Sequence, residues 1–272
     1  MRDKTTTLLL LITILPYVTA VVFFGGIIYR LLKWLAVPVP TMIMLTPAPI
    51  TRIGVTKRLG LEFLGFTSLR KGGWKLWLGG WLFHLLLGLT LLTHVVTIFF
   101  PLIWVTVGYT LYRIAGYAGI LFAAIISFLL FRRLVQPGVR YVSKYSDYFF
   151  IMLAFSVVFS GDYTWTFGKL DIGAVTSYFY GLLTLHPVLP PANFAFLTHF
   201  ALAQLFLMYI PFSKVSHLVG WVTAPTRNQR NDARARWHRN PWNPEVQLEP
   251  WESYAARYQN ELEELGPGGE RR

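Results

Sequence analysis

The chain has 272 residues, of which 54% are hydrophobic, 17% aromatic and only 14% charged. About a quarter of the residues in an ordinary soluble domain are charged, so this composition excludes a soluble enzyme. The net charge of +12 would suit a nucleic-acid-binding protein only if the basic side chains covered a water-facing surface. The absence of cysteine excludes disulfides, cysteine-ligated iron–sulfur clusters and covalently attached c-type haem.

Five apolar runs each have about the 20 residues that cross a bilayer core of about 30 Å. They are Leu8 to about Leu35, Lys75 to Phe100, Val105 to Phe131, Ser146 to Phe159 and Ala192 to Trp221. The first run is too long for a signal peptide and lacks a small-residue cleavage site, so we expect a retained span. The shorter stretch from Ile172 to His186 suits an interfacial or re-entrant helix. The sequence therefore predicts an all-α integral membrane protein, a five-transmembrane-helix bundle over residues 1–222.

Lys and Arg in the connecting segments predict the orientation, because cationic segments are retained on the cytoplasmic side. Eight follow the first span or lie at its end, four follow the third, and six follow the fifth. The opposite side has only Arg2, Lys4, Arg113 and Lys169. We therefore expect the N-terminus outside and the C-terminus in the cytoplasm of a multi-pass protein of the plasma membrane. The basic charge then sets topology, which leaves nucleic-acid binding without support.

Residues 223–272 form a polar tail that is too small to have a core of its own. Within the tail, Trp251, Tyr254, Ala255 and Tyr258 have the spacing of one apolar stripe on a helix. Such a tail is expected to pack on a cytoplasmic partner, although a solvated tail is the alternative.

Four of the six histidines lie in two of the predicted spans. His84 and His94 are 10 residues apart in the second, which is about 15 Å along a helix axis. His199 and His217 are 18 residues apart in the fifth, which is five turns of a continuous helix and about 27 Å. Because the two spans cross in opposite directions, His84 is expected to meet His217 near the cytoplasm, and His94 to meet His199 on the outer side.

Two facing imidazoles at each of two membrane levels predict two stacked haems b, each with two axial histidines. Hydrogen-bonded packing histidines are the ordinary alternative, but four residues arranged at two levels disfavour it. A zinc site would need three or four converging ligands, which the separation along each helix prevents. A proton relay would need Asp or Glu chains, and the spans contain almost none. His186 and His238 lie outside the spans and are expected to be structural.

A histidine pair 10 apart in the second span and another 18 apart in the fifth resembles the gamma subunit of respiratory nitrate reductase. That family is a five-span dihaem cytochrome b that oxidises quinol. Transferred to this sequence, the resemblance makes His84 and His217 the iron ligands of the inner haem, and His94 and His199 those of the outer haem. These are the same pairs that the spacings predict.

The segments Ile210-Pro211-Phe212-Ser213-Lys214, Ala224-Pro225-Thr226-Arg227-Asn228 and His238-Arg239-Asn240-Pro241-Trp242 resemble the DsrM family. Its members are the cytochrome b subunits of the DsrMKJOP complex, and an archaeal version is called Hme. This resemblance implies a cytoplasmic iron–sulfur partner of the heterodisulfide-reductase type, DsrK, together with the DsrJ, DsrO and DsrP subunits. It also implies a menaquinone-type pool as the quinone substrate and a role in dissimilatory sulfur metabolism.

A quinone site on the outer side needs a donor and an acid or base near the outer histidine pair. Arg113 and Asp162 are the candidates, with interfacial anchoring as the alternative for each. Three other functions stay open: a gamma subunit of a nitrate reductase-type complex, a transporter, and a membrane anchor without haem. A transporter would need polar residues in several spans, and these spans are too apolar.

Overall fold

A computed structural model describes residues 2–37, 44, 47–232 and 249–265, and this part of the chain contains helices and loops but no strand. The α-helices, in chain order, are α1 Arg2–Ala36, α2 Arg52–Gly65, α3 Thr67–Lys71, α4 Trp74–Phe99, α5 Pro101–Val135, α6 Pro137–Val142, α7 Tyr145–Phe167, α8 Ile172–Leu183, α9 Phe194–Tyr209, α10 His217–Thr223, α11 Pro225–Asn228, α12 Trp251–Arg257 and α13 Gln259–Leu265. Two 3-10 turns, Ile210–Phe212 and Lys214–Ser216, join α9 to α10.

Five helices in the described residues are long and apolar enough to cross a membrane, which confirms the predicted number of spans. The spanning segments are Leu10–Ala36, Trp74–Phe99, Tyr112–Val135, Tyr145–Phe167 and Phe194–Phe212. The fourth extends eight residues beyond its predicted end at Phe159. The polar residues that follow Phe159 suggest a loop. Thr164 and Thr166 nevertheless remain within the helix, because they donate their hydroxyls to carbonyls of the preceding turn.

Prolines set several helix boundaries. Pro101 begins α5 directly after Phe100, the one residue that separates it from α4, and Pro137 begins α6. Proline is tolerated in a first helical turn because its missing N–H would have had no partner there. The second and third spans therefore form a tight helical hairpin.

The spanning helices pack in the order α4, α5, α7, α9 and α1. Leu86, Phe122, Ile126 and Ala154 form one buried cluster that joins α4, α5 and α7. A second cluster joins the short helix α8 to α9 around Tyr178, which is fully buried, with Ile12 and Tyr17 of α1 against it. Within the described residues α4 and α9 are not close-packed neighbours, although α4 carries two of the predicted site histidines and α9 carries one.

One end of the bundle collects the predicted cytoplasmic Lys and Arg, and we call it the basic end. Here α1, α5 and α9 end and α4 and α7 begin. Asp147 accepts a hydrogen bond from Lys214 at 2.7 Å and lies 3.5 Å from Arg133, which links the start of α7 to its neighbours. The membrane orientation of this end remains a prediction.

Pro211 in the fifth apolar run predicts a kink, and the structure has a complete break there, so the expectation of five regular turns between His199 and His217 is wrong. Pro211 has no N–H to donate, and regular α-helix stops at Tyr209. Ser213 and Ser216 donate their hydroxyls to the carbonyls of Ile210 and Ser213, so polar backbone groups released by the break are satisfied. His217 then begins α10 instead of lying five turns beyond His199 on the same helix.

Helix α1 packs directly against this break. Gly26 lies so close to Pro211 that an added Cβ would come 2.6 Å from the proline Cβ. One turn later, Arg30 donates a hydrogen bond to Ser216, and Gly220 of α10 lies against the Trp34 ring. The position of His217 therefore depends on α1 as well as on its own segment.

Helices α2 and α3, residues 52–71, dock on the start of α4, and we call them the α2–α3 segment. Trp77 and Trp81 of α4 donate their indole N–H groups to the carbonyls of Gly65 and Leu64, each at 2.8 Å. These carbonyls lie in the last turn of α2, where a carbonyl has no backbone N–H partner within the helix.

Glu62 of α2 holds the turn into α3. Its carboxylate accepts hydrogen bonds from the Thr67 and Ser68 hydroxyls and from the Ser68 backbone N–H, and it lies 3.7 Å from the Arg227 guanidinium. Burial alone would raise the pKa of Glu62, but the hydrogen bonds from Ser68 and Thr67, with Arg227, lower the pKa below its usual value.

In the tail, the predicted helix is confirmed as two short helices, α12 and α13. The rings of Trp251 and Tyr254 stack with centroids 5.7 Å apart, and Tyr258 adjoins Tyr254 at 4.8 Å. All three rings of this apolar stripe are exposed. Docking of a partner on the stripe remains a prediction.

Packing of α1 against the break predicts different effects for two adjacent glycines. Gly26→Val should lower the midpoint of thermal unfolding, because overpacking costs about 1–3 kcal/mol and the Pro211 ring cannot move aside. Gly25→Val is the matched control, since nothing lies within 4 Å of its added Cβ. Intrinsic tryptophan fluorescence of the detergent-solubilised protein during heating measures both. Equal midpoints for the two variants would contradict this packing.

The lowered pKa of Glu62 predicts loosening of the α2–α3 turn in acid. A carboxylate with a depressed folded pKa stabilises above its unfolded pKa, about 4.3, and that stability is lost as pH falls through the folded value. Hydrogen exchange of amides 66–71, corrected for intrinsic rates, should accelerate below about pH 4. Glu62→Gln should exchange quickly at neutral pH already. Equal protection of the wild type at pH 7 and pH 3 would refute this role.

Candidate cofactor site

The four site histidines lie in two facing pairs. The ring centroids of His84 and His217 are 6.1 Å apart, and those of His94 and His199 are also 6.1 Å apart. The first pair lies toward the basic end and the second about 15 Å further along α4. The structure therefore brings together the same partners that the spacings predict, even though His217 follows a break. No hydrogen bond joins the rings of either pair in the described residues.

Every one of these imidazoles directs its Nδ1 at a backbone carbonyl. His84 and His94 reach the carbonyls of Gly80 and Thr90, four residues earlier on α4, both at 2.7 Å. His217 reaches the Lys214 carbonyl at 3.1 Å. A carbonyl only accepts, so Nδ1 carries the proton and Nε2 of the neutral ring keeps its lone pair. This arrangement is usual for a metal-binding histidine.

A neighbouring helix orients His199. Its Nδ1 donates to the Val157 carbonyl of α7 at 3.0 Å and lies 3.1 Å from the Ser160 hydroxyl. Gly161 leaves room for the ring, since an added Cβ would come 3.1 Å from its Cε1 atom. His199 is half-buried, whereas the rings of His84, His94 and His217 are exposed between the helices.

Two phenylalanine rings adjoin His84. Phe66 of the α2–α3 segment lies 4.8 Å from it between ring centroids, and Phe83 lies 5.3 Å away at a steep angle. On the other side of the pair, the Lys214 carbonyl that holds His217 belongs to a residue whose ammonium binds Asp147. Two elements outside α4 and α9 thus position the pair at the basic end.

The spacing of both pairs fits a metal held between two imidazoles. Metal–nitrogen bonds are about 2 Å long and a ring nitrogen lies about 1.1 Å from its ring centre, so two axial histidines place their centroids about 6 Å apart. Separation of α4 from α9 leaves the facing rings accessible to a group between them. The residues present therefore fit a bis-histidine porphyrin at each level.

Other metal sites are not formed in the described part of the chain. No three His, Asp or Glu side chains converge there, so a zinc site of the usual kind is absent from it. His186 donates to the Thr184 carbonyl and pairs with no other ring in the same residues. His238 lies outside the described residues.

The two predicted quinone-site residues lie on α5 and α7, toward the end opposite the basic end. Arg113 is exposed on α5. Asp162 is half-buried on α7, and its Oδ1 lies 2.0 Å from where a Cβ on Gly119 would be, so that glycine permits the close approach. Gly161, next to Asp162, contacts His199. The backbone of Asp162 thus lies one residue from a contact of His199, while its carboxylate faces α5.

Sequence reasoning missed several residues of the site. The roles of the Gly80 and Thr90 carbonyls as acceptors could have been found, because a carbonyl four residues earlier lies beneath a helical side chain. Val157, Ser160 and Gly161 had no comparable signal, since helix packing alone brings them to His199. Phe66 was also missed, because its contact with His84 requires the fold of a loop.

A helical membrane bundle with two levels of paired histidines is therefore the class that fold and site define. Residues 68–231 match the family described as nitrate reductase gamma subunit. The chain is 30% identical to the Hdr-like menaquinol oxidoreductase cytochrome b-like subunit of Archaeoglobus fulgidus, over 93% of this chain and 94% of that protein. It is 27% identical to the protein with the same description in Archaeoglobus profundus, over 92% and 94%. The chain belongs to the nitrate reductase gamma subunit family, which confirms the predicted resemblance.

Proposed function

We propose that this protein is a dihaem cytochrome b subunit that exchanges electrons between a menaquinone-type pool and a cytoplasmic iron–sulfur partner. The single observation that carries the proposal is the equal separation of two histidine pairs, 6.1 Å between centroids at both levels. The family match and two relatives named as menaquinol oxidoreductase subunits support the same function.

His84 and His217 would hold the inner haem, and His94 and His199 the outer one. Haem b, where bound, would supply one-electron transfer, and the two imidazoles at each level would hold its iron. The chain's own contribution is orientation: each Nδ1–carbonyl hydrogen bond fixes the ring plane and directs Nε2 inward. The proposed orientation follows the positive-inside rule, with the basic end in the cytoplasm.

Quinol oxidation releases two electrons and two protons, so the site needs a group that accepts protons. Asp162 is an ionisable residue in a membrane helix, next to the residue that contacts His199. Such residues are costly in apolar surroundings and commonly mark proton or substrate pathways. We assign Asp162 as the proton acceptor and Arg113 as a cation that binds a quinol oxygen from the outer side.

The partner proposed for the basic end is a heterodisulfide-reductase-like subunit of the DsrK type, in a complex with DsrJ, DsrO and DsrP that serves dissimilatory sulfur metabolism. The tail supplies two features suited to docking: the exposed stripe of Trp251, Tyr254 and Tyr258, and the acidic residues of α13. Exposed aromatic side chains of this kind are common anchors at protein interfaces.

Histidine substitutions test the two-level assignment. In reduced-minus-oxidised spectra, His94→Ala or His199→Ala should abolish the outer haem and spare the inner one, and His84→Ala or His217→Ala should do the reverse. His186→Ala is the control and should retain both, because that ring bonds the Thr184 carbonyl and faces no second imidazole in the described residues. Loss of both haems from every single variant would contradict the layered pairing. A colourless wild type would favour the haem-free anchor.

Substitution of Asp162 tests the quinone site. Asp162→Asn should slow reduction of the outer haem by a menaquinol analogue about 100-fold or more, as expected when a general base is removed. Asp171→Asn is the matched control, because asparagine can still cap α8 by accepting from the backbone N–H groups of Gly173 and Ala174. An unchanged rate in Asp162→Asn, with both haems present, would contradict the role of this residue as the proton acceptor.

A further inference from the structure

The α2–α3 segment covers one face of α4 at the inner histidine pair. Trp77 and Trp81 donate to carbonyls at the end of α2, and Leu69 of α3 lies 3.0 Å from where a Cβ on Gly80 would be. Phe66 contacts the ring of His84. The α4 residues involved, at 77, 80, 81 and 84, are spaced as one face of a helix. Gly80 is also the residue whose carbonyl accepts from His84.

Phe66 has an unusual backbone conformation for a residue with a side chain. Its φ of 45° and ψ of 46° lie in the left-handed region, where glycine or asparagine is the ordinary choice. A helix commonly ends in a left-handed residue, and glycine would satisfy that need without strain. A bulky aromatic in this position persists only where its surroundings hold it.

Contacts of the residues before and after Phe66 hold its backbone in this conformation. Glu62, four residues before Phe66, binds the hydroxyls of Thr67 and Ser68, which directly follow it. The Phe66 backbone N–H donates to the Glu62 carbonyl at 3.1 Å, and the two tryptophans fix the preceding carbonyls. The turn is thus defined by several contacts that do not require an aromatic ring at position 66.

We propose that Phe66 is a positioning residue for the inner haem site, held by the α2–α3 segment against His84. This inference rests on the proposed function. The ring fixes the His84 imidazole from the basic end and excludes water from the face that it covers. Water exclusion favours the less charged, ferrous state of a bound haem, since the hydrophobic shell around a metal site sets its local dielectric and its reduction potential.

Redox titration of the purified full-length protein, followed in the α bands of the two haems, tests this inference. Phe66→Gly removes the ring and suits the left-handed backbone, and Phe66→Leu removes the aromatic ring but keeps an apolar side chain. Both variants should lower the midpoint reduction potential of the inner haem, which is the one that His84→Ala abolishes. For Phe66→Gly we expect a tenfold shift of the one-electron equilibrium toward the oxidised state, which is about 59 mV.

Two controls separate the inference from simpler explanations. Phe66→Tyr keeps the aromatic ring and should restore the wild-type midpoint. Leu185→Gly places glycine at another left-handed position, φ 59°, at the opposite end of the bundle, and should change neither haem. Unchanged inner-haem midpoints in both Phe66→Gly and Phe66→Leu, or equal shifts of both haems, would overturn the inference. A wild type without haem would instead contradict the proposed function itself.

Discussion

The hydrogen bond from each site histidine to a backbone carbonyl is the interaction on which the rest of the structure depends. Four imidazoles in a membrane bundle make the same bond through Nδ1, and in each neutral ring Nε2 therefore keeps its lone pair. Two unprotonated nitrogens cannot donate to one another, so facing rings without a group between them would gain nothing from their proximity. Separation of α4 from α9 and the 6.1 Å between centroids are consistent with a metal at each level.

The histidine pairing could be predicted from the sequence, but for the fifth span the reasoning behind it was partly wrong. His84 and His94 lie on one regular helix, where a spacing of 10 residues has a defined geometry. His199 and His217 lie on either side of Pro211, so helical periodicity does not relate them. Pro211 predicts a kink, yet the 3-10 turns that follow depend on Gly26 and Arg30 of α1, nearly 200 residues earlier in the chain.

Long-range contacts explain what the sequence could not predict. The number of spans follows from apolar length, because the bilayer requires it. The seating of His199 against Ser160 and Gly161 depends on how α7 and α9 pack, and no spacing rule describes that. The contact between Phe66 and His84 joins a cytoplasm-predicted loop to a spanning helix. A hydrophobic residue next to Gly65 gives no sign in the sequence that its backbone is left-handed.

The two histidine pairs differ in the residues that contact them. At the outer pair, His199 is held by α7 through the Val157 carbonyl, and its ring contacts Gly161, the residue before the half-buried Asp162. At the inner pair, Phe66 of the α2–α3 segment contacts the His84 ring. Hydrogen bonds from Arg30 to Ser216 and from Lys214 to Asp147 fix the segment that leads to His217.

An electron cryo-microscopy map of the purified protein in a lipid nanodisc tests the central claim most directly. The account predicts two flat, macrocycle-sized densities, one between His84 and His217 and one between His94 and His199, each joined to both imidazoles through Nε2. Imidazoles that turn toward lipid, or that touch each other with no density between them, would contradict it.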